Sequence, residues 1–235
     1  MPKGFFVTGT DTGVGKTVVS GALIRALSIS GLRVCGMKPV ESGCRREGDV
    51  LIPSDGMFLK SLSRADERID SLTPCRFERP LAPMVAAEMA GERVDLDRVW
   101  EEFGRLSARY DAMVVEGVGG LLVPLRADFL VSDLALRLGL PLVVVASPFL
   151  GTINHTLLTV RHALQCGLKV AGVVINFHRP PQGTLAEETN PGAIARLSPA
   201  PMAGVVPHLH GLDASTLEGA AMKHLDLQVL FRHLG

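Results

Sequence analysis

The chain has 235 residues, enough for one α/β domain to bury a complete sheet core, so residues 1–235 read as a single domain. Its 24 basic and 24 acidic side chains cancel, which disfavours attachment to nucleic acid or an anionic membrane by bulk charge and favours a small-molecule substrate. Four cysteines without a C-x-x-C pair suggest neither a zinc site nor a disulfide framework and fit a reducing cytoplasm; the most apolar run, residues 138–151, is too short for a bilayer and is broken by prolines.

Met1 and Pro2 lead through Lys3 and Gly4 into an apolar strand over 5–8, without the charged and long apolar regions of a secretion signal. There follows GTDTGVGKT, residues 9–17, and then a helical pattern over 16–30 with Gly31 as its left-handed cap. Gly13 and Gly15 let the backbone curl around phosphate oxygens, N–H groups at a helix start attract the anion, Lys16 neutralises it and Thr17 suits Mg²⁺. The consensus places a glycine where Thr10 stands, one residue after Gly9, so this is a variant phosphate loop. A strand over 33–37 ends at Lys38, where Pro39 turns the chain towards the ligand face. Asp55 reads on its own as the N-cap of a short helix over 55–62.

A helix over 95–109 precedes a strand over 112–116 that ends in Glu116 and the glycine turn 117–120. In phosphate-loop enzymes a strand-end carboxylate holds Mg²⁺, usually as aspartate. A helix over 131–138, a strand over 142–146, a helix over 153–165 and a strand over 170–175 follow, with Gly139 and Gly167 as caps. Asn176 ends the last of these strands, as a candidate for the nucleotide base or as a turn former. Residues 178–191 read as one long surface loop, 202–206 as a strand and 214–232 as a C-terminal helix. The alternation predicts an α/β fold with a mostly parallel sheet and helices on both faces. The histidines, among them His155, His162, His208 and His210, lack partners at metal-ligand spacing and read as structural or surface groups.

Residues 7–17 (VTGTDTGVGKT), Lys38-Pro39 with Ser42-Gly43, 115–120 (VEGVGG), 150–155 (LGTINH), 171–176 (AGVVIN) and 203–207 (AGVVP) closely resemble the dethiobiotin synthetase family. The resemblance spans most of the chain up to about residue 212 and implies a P-loop NTPase-like domain. It also implies a reaction. 7,8-Diaminononanoate takes up CO₂ as a carbamate, ATP phosphorylates that to a carbamic-phosphoric anhydride, and the second amine closes the cyclic urea of dethiobiotin. By the same resemblance Lys16 lies on the phosphates with Gly13, Val14, Gly15, Thr17 and Val18, and Thr17, Asp55 and Glu116 surround Mg²⁺. Gly117, Val118, Gly119, Asn176 and Pro207 belong to the nucleotide site, with Asn176 near the adenine. Lys38 and Ser42 stand at the diamine or carbamate together with Thr12 and Gly119, and Lys38, Lys16 and Thr12 are the catalytic set. A homodimer is implied too, in which Leu150 to Asn154 of one subunit holds the substrate tail of the other.

Glu41 departs from the small, uncharged residue expected there: it either points away from the carbamate or binds a substrate ammonium. Two rivals fit less well. A cobyrinate-type amidoligase would carry a further glutaminase domain, for which the chain leaves no room. An ATP-driven partition switch often places a second lysine where Asp11 stands.

Overall fold

The computed structural model describes residues 3–63 and 65–234, so Met1 and Pro2 of the expected leaderless start lie outside the described residues. In chain order the elements are β1 (Gly4–Gly9), α1 (Lys16–Ile29), β2 (Val34–Met37), β3 (Val40–Ser42), β4 (Arg45–Glu47), β5 (Val50–Ile52), α2 (Ser54–Leu62), α3 (Ile69–Leu72), β6 (Cys75–Phe77), α4 (Pro83–Met89) and α5 (Leu96–Arg109). They continue with β7 (Ala112–Glu116), β8 (Pro124–Arg126), β9 (Phe129–Leu130), α6 (Val131–Leu138), β10 (Leu142–Ala146), α7 (Thr152–Gln165), β11 (Val170–Asn176), α8 (Leu185–Leu197), β12 (Met202–Val206), α9 (Ala214–His224) and α10 (Leu227–Phe231).

The expected strands form one parallel six-stranded sheet in the order β12-β11-β10-β1-β7-β2. Side chains alternate across a strand, so an unbroken apolar run is buried on both faces. Phe6, Val115 and Val144 point into a core shared with Leu106 of α5, Leu134 of α6 and Val160 of α7. Phe5, Val7, Val114 and Val143 point the other way, against Leu23 and Leu27 of α1 and Leu217 of α9. Fully burying each large side chain contributes roughly 1.5–3 kcal/mol, and β1 lies at the centre of both layers. The helix ends also match expectation: Gly31, Gly139 and Gly167 take φ of 88°, 69° and 78°.

Three expectations need correction. Residues 185–197 of the supposed loop and beyond form α8, opened by a capping box in which Thr184 Oγ1 accepts from the Glu187 N–H while Glu187 accepts from the Thr184 N–H. Pro191 sits inside that helix, where its missing N–H obscured the pattern. The C-terminal helix is broken in two, because Leu225 bridges to Gly204 on the edge strand β12 and the Asp226 N–H donates to the Ala203 carbonyl at 2.7 Å. Asp226 then caps α10 by accepting from the Val229 N–H at 3.0 Å. Asp55 is not an N-cap. Helix α2 starts one residue earlier, behind Pro53, and Asp55 lies in its first turn with its carboxylate used elsewhere. The short strands β3–β6, β8 and β9 and helices α3 and α4 carry too few residues to show a period.

Candidate active site

The middle strand β1 delivers loop 9–17 to the carboxyl edge of the sheet, the usual ligand side of such a fold. The Gly9 N–H donates to Gly119 O at 3.2 Å, and a Cβ built on Gly9 would stand 2.6 Å from Asp11 O and 2.9 Å from Val14 Cγ2. Gly9 therefore has no room for a side chain, and the displaced glycine is a requirement of this loop. Gly13 and Gly15 sit at φ 77° and 89°, with Gly15 opening α1. Lys16 folds back over the loop and donates to Asp11 O at 3.2 Å.

On one flank, β7 runs parallel to β1 and ends in Glu116, while β2 runs beside β7 and hands the chain to Lys38. The two strand ends meet. Lys38 Nζ donates to Glu116 Oε1 at 2.6 Å, to Asp55 Oδ2 at 2.9 Å and to Gly117 O at 3.2 Å, while only 3% of the residue is exposed. Thr17 Oγ1 donates to the same Glu116 Oε1 at 3.0 Å. Lys16, Thr17, Lys38, Asp55, Glu116 and Gly117 thus form one cluster drawn from four separate segments.

Its electrostatics follow from burial and proximity. Burial, and then the nearby Lys38 ammonium, push Lys16 down to about 8. Burial also opposes the charge on Lys38, but the Glu116 and Asp55 carboxylates outweigh it and hold its pKa above the ordinary lysine range. Burial would raise Asp55, yet Lys38 holds its carboxyl below the usual carboxylate range. The two lysines are therefore unlike: one is clamped as a cation, and the other is a reluctant cation facing the loop.

The donor set fits Mg²⁺. Thr17, Asp55 and Glu116 offer hard oxygen ligands, and Glu116 Oε2 is buried with no hydrogen-bond partner among the described residues. Two carboxylates and a hydroxyl are fewer than a full protein cage, as suits a cation that keeps waters and shares nucleotide phosphates.

The remaining sequence candidates differ in burial and in contacts. Val14 is buried and Val18 half-buried. Asn176 is buried; its amide nitrogen donates to Val14 O at 3.0 Å, so it braces the phosphate loop from β11. Thr12 is exposed above Gly119, where a built Cβ would lie 3.6 Å from Thr12 Oγ1. Ser42 and Val118 are half-buried, and Pro207 is exposed just past β12. Leu150 and Asn154 are exposed at the start of α7, with no bond to the cluster among the described residues. Glu41 is resolved by its contacts: both oxygens accept backbone N–H groups of α2, from Asp55 at 3.0 Å and Gly56 at 2.9 Å. Among the described residues it makes no salt bridge to a lysine. No pattern in the sequence pairs residues 14 apart in this way.

A family model described as an AAA domain matches residues 3–216. The ATP-dependent dethiobiotin synthetase of Thermodesulfovibrio yellowstonii is 40% identical over 237 residues, covering 98% of this chain and 99% of that protein. The enzyme of the same name from Anaeromyxobacter sp. (strain K) is 50% identical over 196 residues, 83% of this chain and 86% of its own length. Among solved structures, the septum site-determining protein MinD with Mg-ADP from Pyrococcus horikoshii superposes with a TM-score of 0.56 at 18% identity, over 94% of this chain and 95% of that one, a likeness of fold. With these relatives matched along nearly its whole length, the chain belongs to the ATP-dependent dethiobiotin synthetase family and has the phosphate-loop NTPase fold.

Proposed function

We propose that this chain, an ATP-dependent ligase by family, makes dethiobiotin from 7,8-diaminononanoate, CO₂ and ATP, with residues 1–235 acting as one domain. One observation supports the residue roles above all: a buried lysine, Lys38, held as a cation between two carboxylates beside the phosphate loop.

In this reading an uncharged substrate amine attacks CO₂, a C–N bond forms and a proton leaves, giving the carbamate. A carbamate oxygen then attacks the γ-phosphorus and ADP departs. The second amine attacks the carbamoyl carbon, the ring closes and phosphate is expelled. Negative charge builds at the carbamate and at the transferring phosphoryl group, and a fixed donor in such a place is worth about 3 kcal/mol of barrier. Lys16 is such a donor and Lys38 adds a fixed positive charge, its three N–H groups being bonded to Glu116, Asp55 and Gly117, with Thr12, Ser42 and Gly119 flanking the diamine. Lys38 charge beside the diamine also helps keep the attacking amine neutral. Gly13, Val14, Gly15 and Val18 line the phosphates, Gly117 and Val118 border the nucleotide, and Asn176 and Pro207 stand towards the adenine. Mg²⁺, held by Thr17, Asp55 and Glu116, would supply neutralisation of phosphate charge.

A homodimer belongs to the same reading. A cavity of about 730 Å³ between the 120–124 loop and α7 is lined by Thr12, Leu122 and Leu158, and Leu122, Leu150 and Leu158 are 62%, 92% and 60% exposed. Leu150 to Asn154 of a second copy would hold the substrate tail. The cytoplasm is the proposed location: the four cysteines are free, and among the described residues no helix is long and apolar enough to cross a membrane.

The decisive experiment incubates the protein with bicarbonate, Mg·ATP and diaminononanoate and seeks the cyclic urea by mass. ADP and the urea in equal amounts are expected. ATP hydrolysis without the urea would replace the ligase by a nucleotide switch.

A further inference from the structure

Glu41 is buried on β3, and the two backbone donors it binds are orphans at the start of α2, where the first-turn N–H groups lack helical partners. The local N-cap, Pro53, supplies no side-chain bond. The cap of α2 therefore comes from the strand that follows Lys38. Both ends of this brace are held: the Lys38 N–H donates to Leu72 O at 2.9 Å, and β3 pairs with β6 from Val40 to Ser42. On the other side, a Cβ built on Gly56 would fall 2.0 Å from Thr73 Oγ1, so the first turn of α2 packs directly on Thr73.

Asp55 sits on that first turn, with 38% of its side chain exposed, and reaches inward to Lys38. An uncapped helix end frays, and a displacement of about 1 Å in a catalytic group can lower a rate by about a hundredfold. We propose that Glu41 is a positioning residue: it caps α2 from a distance and so holds Asp55 in register with Lys38. This rests on the roles given to Lys38 and Asp55 above. It also gives a role to an acid beside a site that gathers anions, since both Glu41 oxygens accept from backbone N–H groups of α2.

The test uses the full chain with Glu41→Ala and Glu41→Gln, each alone and combined with Asp55→Asn. Three quantities are read: hydrogen exchange of the Asp55 and Gly56 amides, Mg·ADP affinity by calorimetry, and kcat for the cyclic urea. Glu41→Ala is expected to speed exchange of those two amides at least tenfold while β1 and β7 keep their protection. It should also weaken Mg·ADP binding and lower kcat by about tenfold or more, as loss of a partner behind a ligand does. Glu41→Gln, which keeps one acceptor, should fall between. In the Asp55→Asn background, Glu41→Ala should change Mg·ADP affinity less than twofold. An equal loss in both backgrounds, or unchanged Mg·ADP affinity in Glu41→Ala, would overturn the proposal. If Glu41→Ala does not fold, the Glu41→Gln comparison decides by the same criteria. Absence of urea from the wild type would sink the ligase reading alone, because exchange and Mg·ADP binding judge the brace without turnover.

Discussion

Lys16 and Lys38 carry the same charge on the same ligand face, and their environments make them behave oppositely. Lys16 has its pKa pushed from 10.5 to about 8 by burial and by Lys38. Below pH 8 it is charged both folded and unfolded, so folding buries that charge at a cost of about 3 kcal/mol. Between 8 and 10.5 the folded state releases the proton first, and stability rises. In the nucleotide-free protein the urea-unfolding free energy, relative to Lys16→Met, should therefore rise by about 3 kcal/mol across that window. Mg·ATP should flatten the rise, because phosphate oxygens restore the charge. A difference independent of pH would remove the buried-cation account of Lys16. Lys38 is the reverse case, fully paired. Lys38→Ala should abolish urea formation while Mg·ATP still binds by calorimetry. It should also destabilise the fold by about 3–5 kcal/mol, since the Asp55 and Glu116 carboxylates are left facing each other. Near wild-type turnover would exclude Lys38 from the chemistry.

At the scale of elements, the phosphate loop and the helix caps use the same backbone conformation for different ends. Gly15 takes φ 89° and its missing side chain is where Asn176 Nδ2 lies, only 2.0 Å from a built Cβ. Gly31 takes φ 88° with open space around it. Alanine at either position costs about 1–2 kcal/mol of left-handed strain. Only Gly15→Ala should also push the Asn176 brace away and deform the loop, weakening Mg·ATP binding at least tenfold by calorimetry. Gly31→Ala should lower the melting temperature and leave that affinity unchanged. Equal affinities for the two variants would show that the Asn176 contact does not shape the loop.

For the whole molecule, the sheet order puts β1 between β7 and β10, so acid, lysine and phosphate loop converge on one edge, while the exposed leucines of α7 and the 120–124 loop lie beside it. Leu158→Glu should turn the proposed dimer into a monomer in sedimentation and lower urea formation with it. A wild type that already sediments as a monomer at micromolar concentration would end the dimer proposal. The six central strands and the phosphate loop were legible in the sequence because unbroken β-branched runs and a strand-loop-helix order are local signals. Lys38 and Glu116 could be named from strand ends, and the family resemblance gave them separate roles without pairing them. What only the tertiary structure decided depends on groups far apart in the chain. It turned Asp55 from a supposed cap into the partner of Lys38, and gave the cap to Glu41. It split the last helix where β12 needed its edge covered, and formed α8 across Pro191. Local periodicity encodes which residues face a core. The pairing of a buried charge or an orphan N–H is settled only once the sheet has brought distant segments within hydrogen-bond reach.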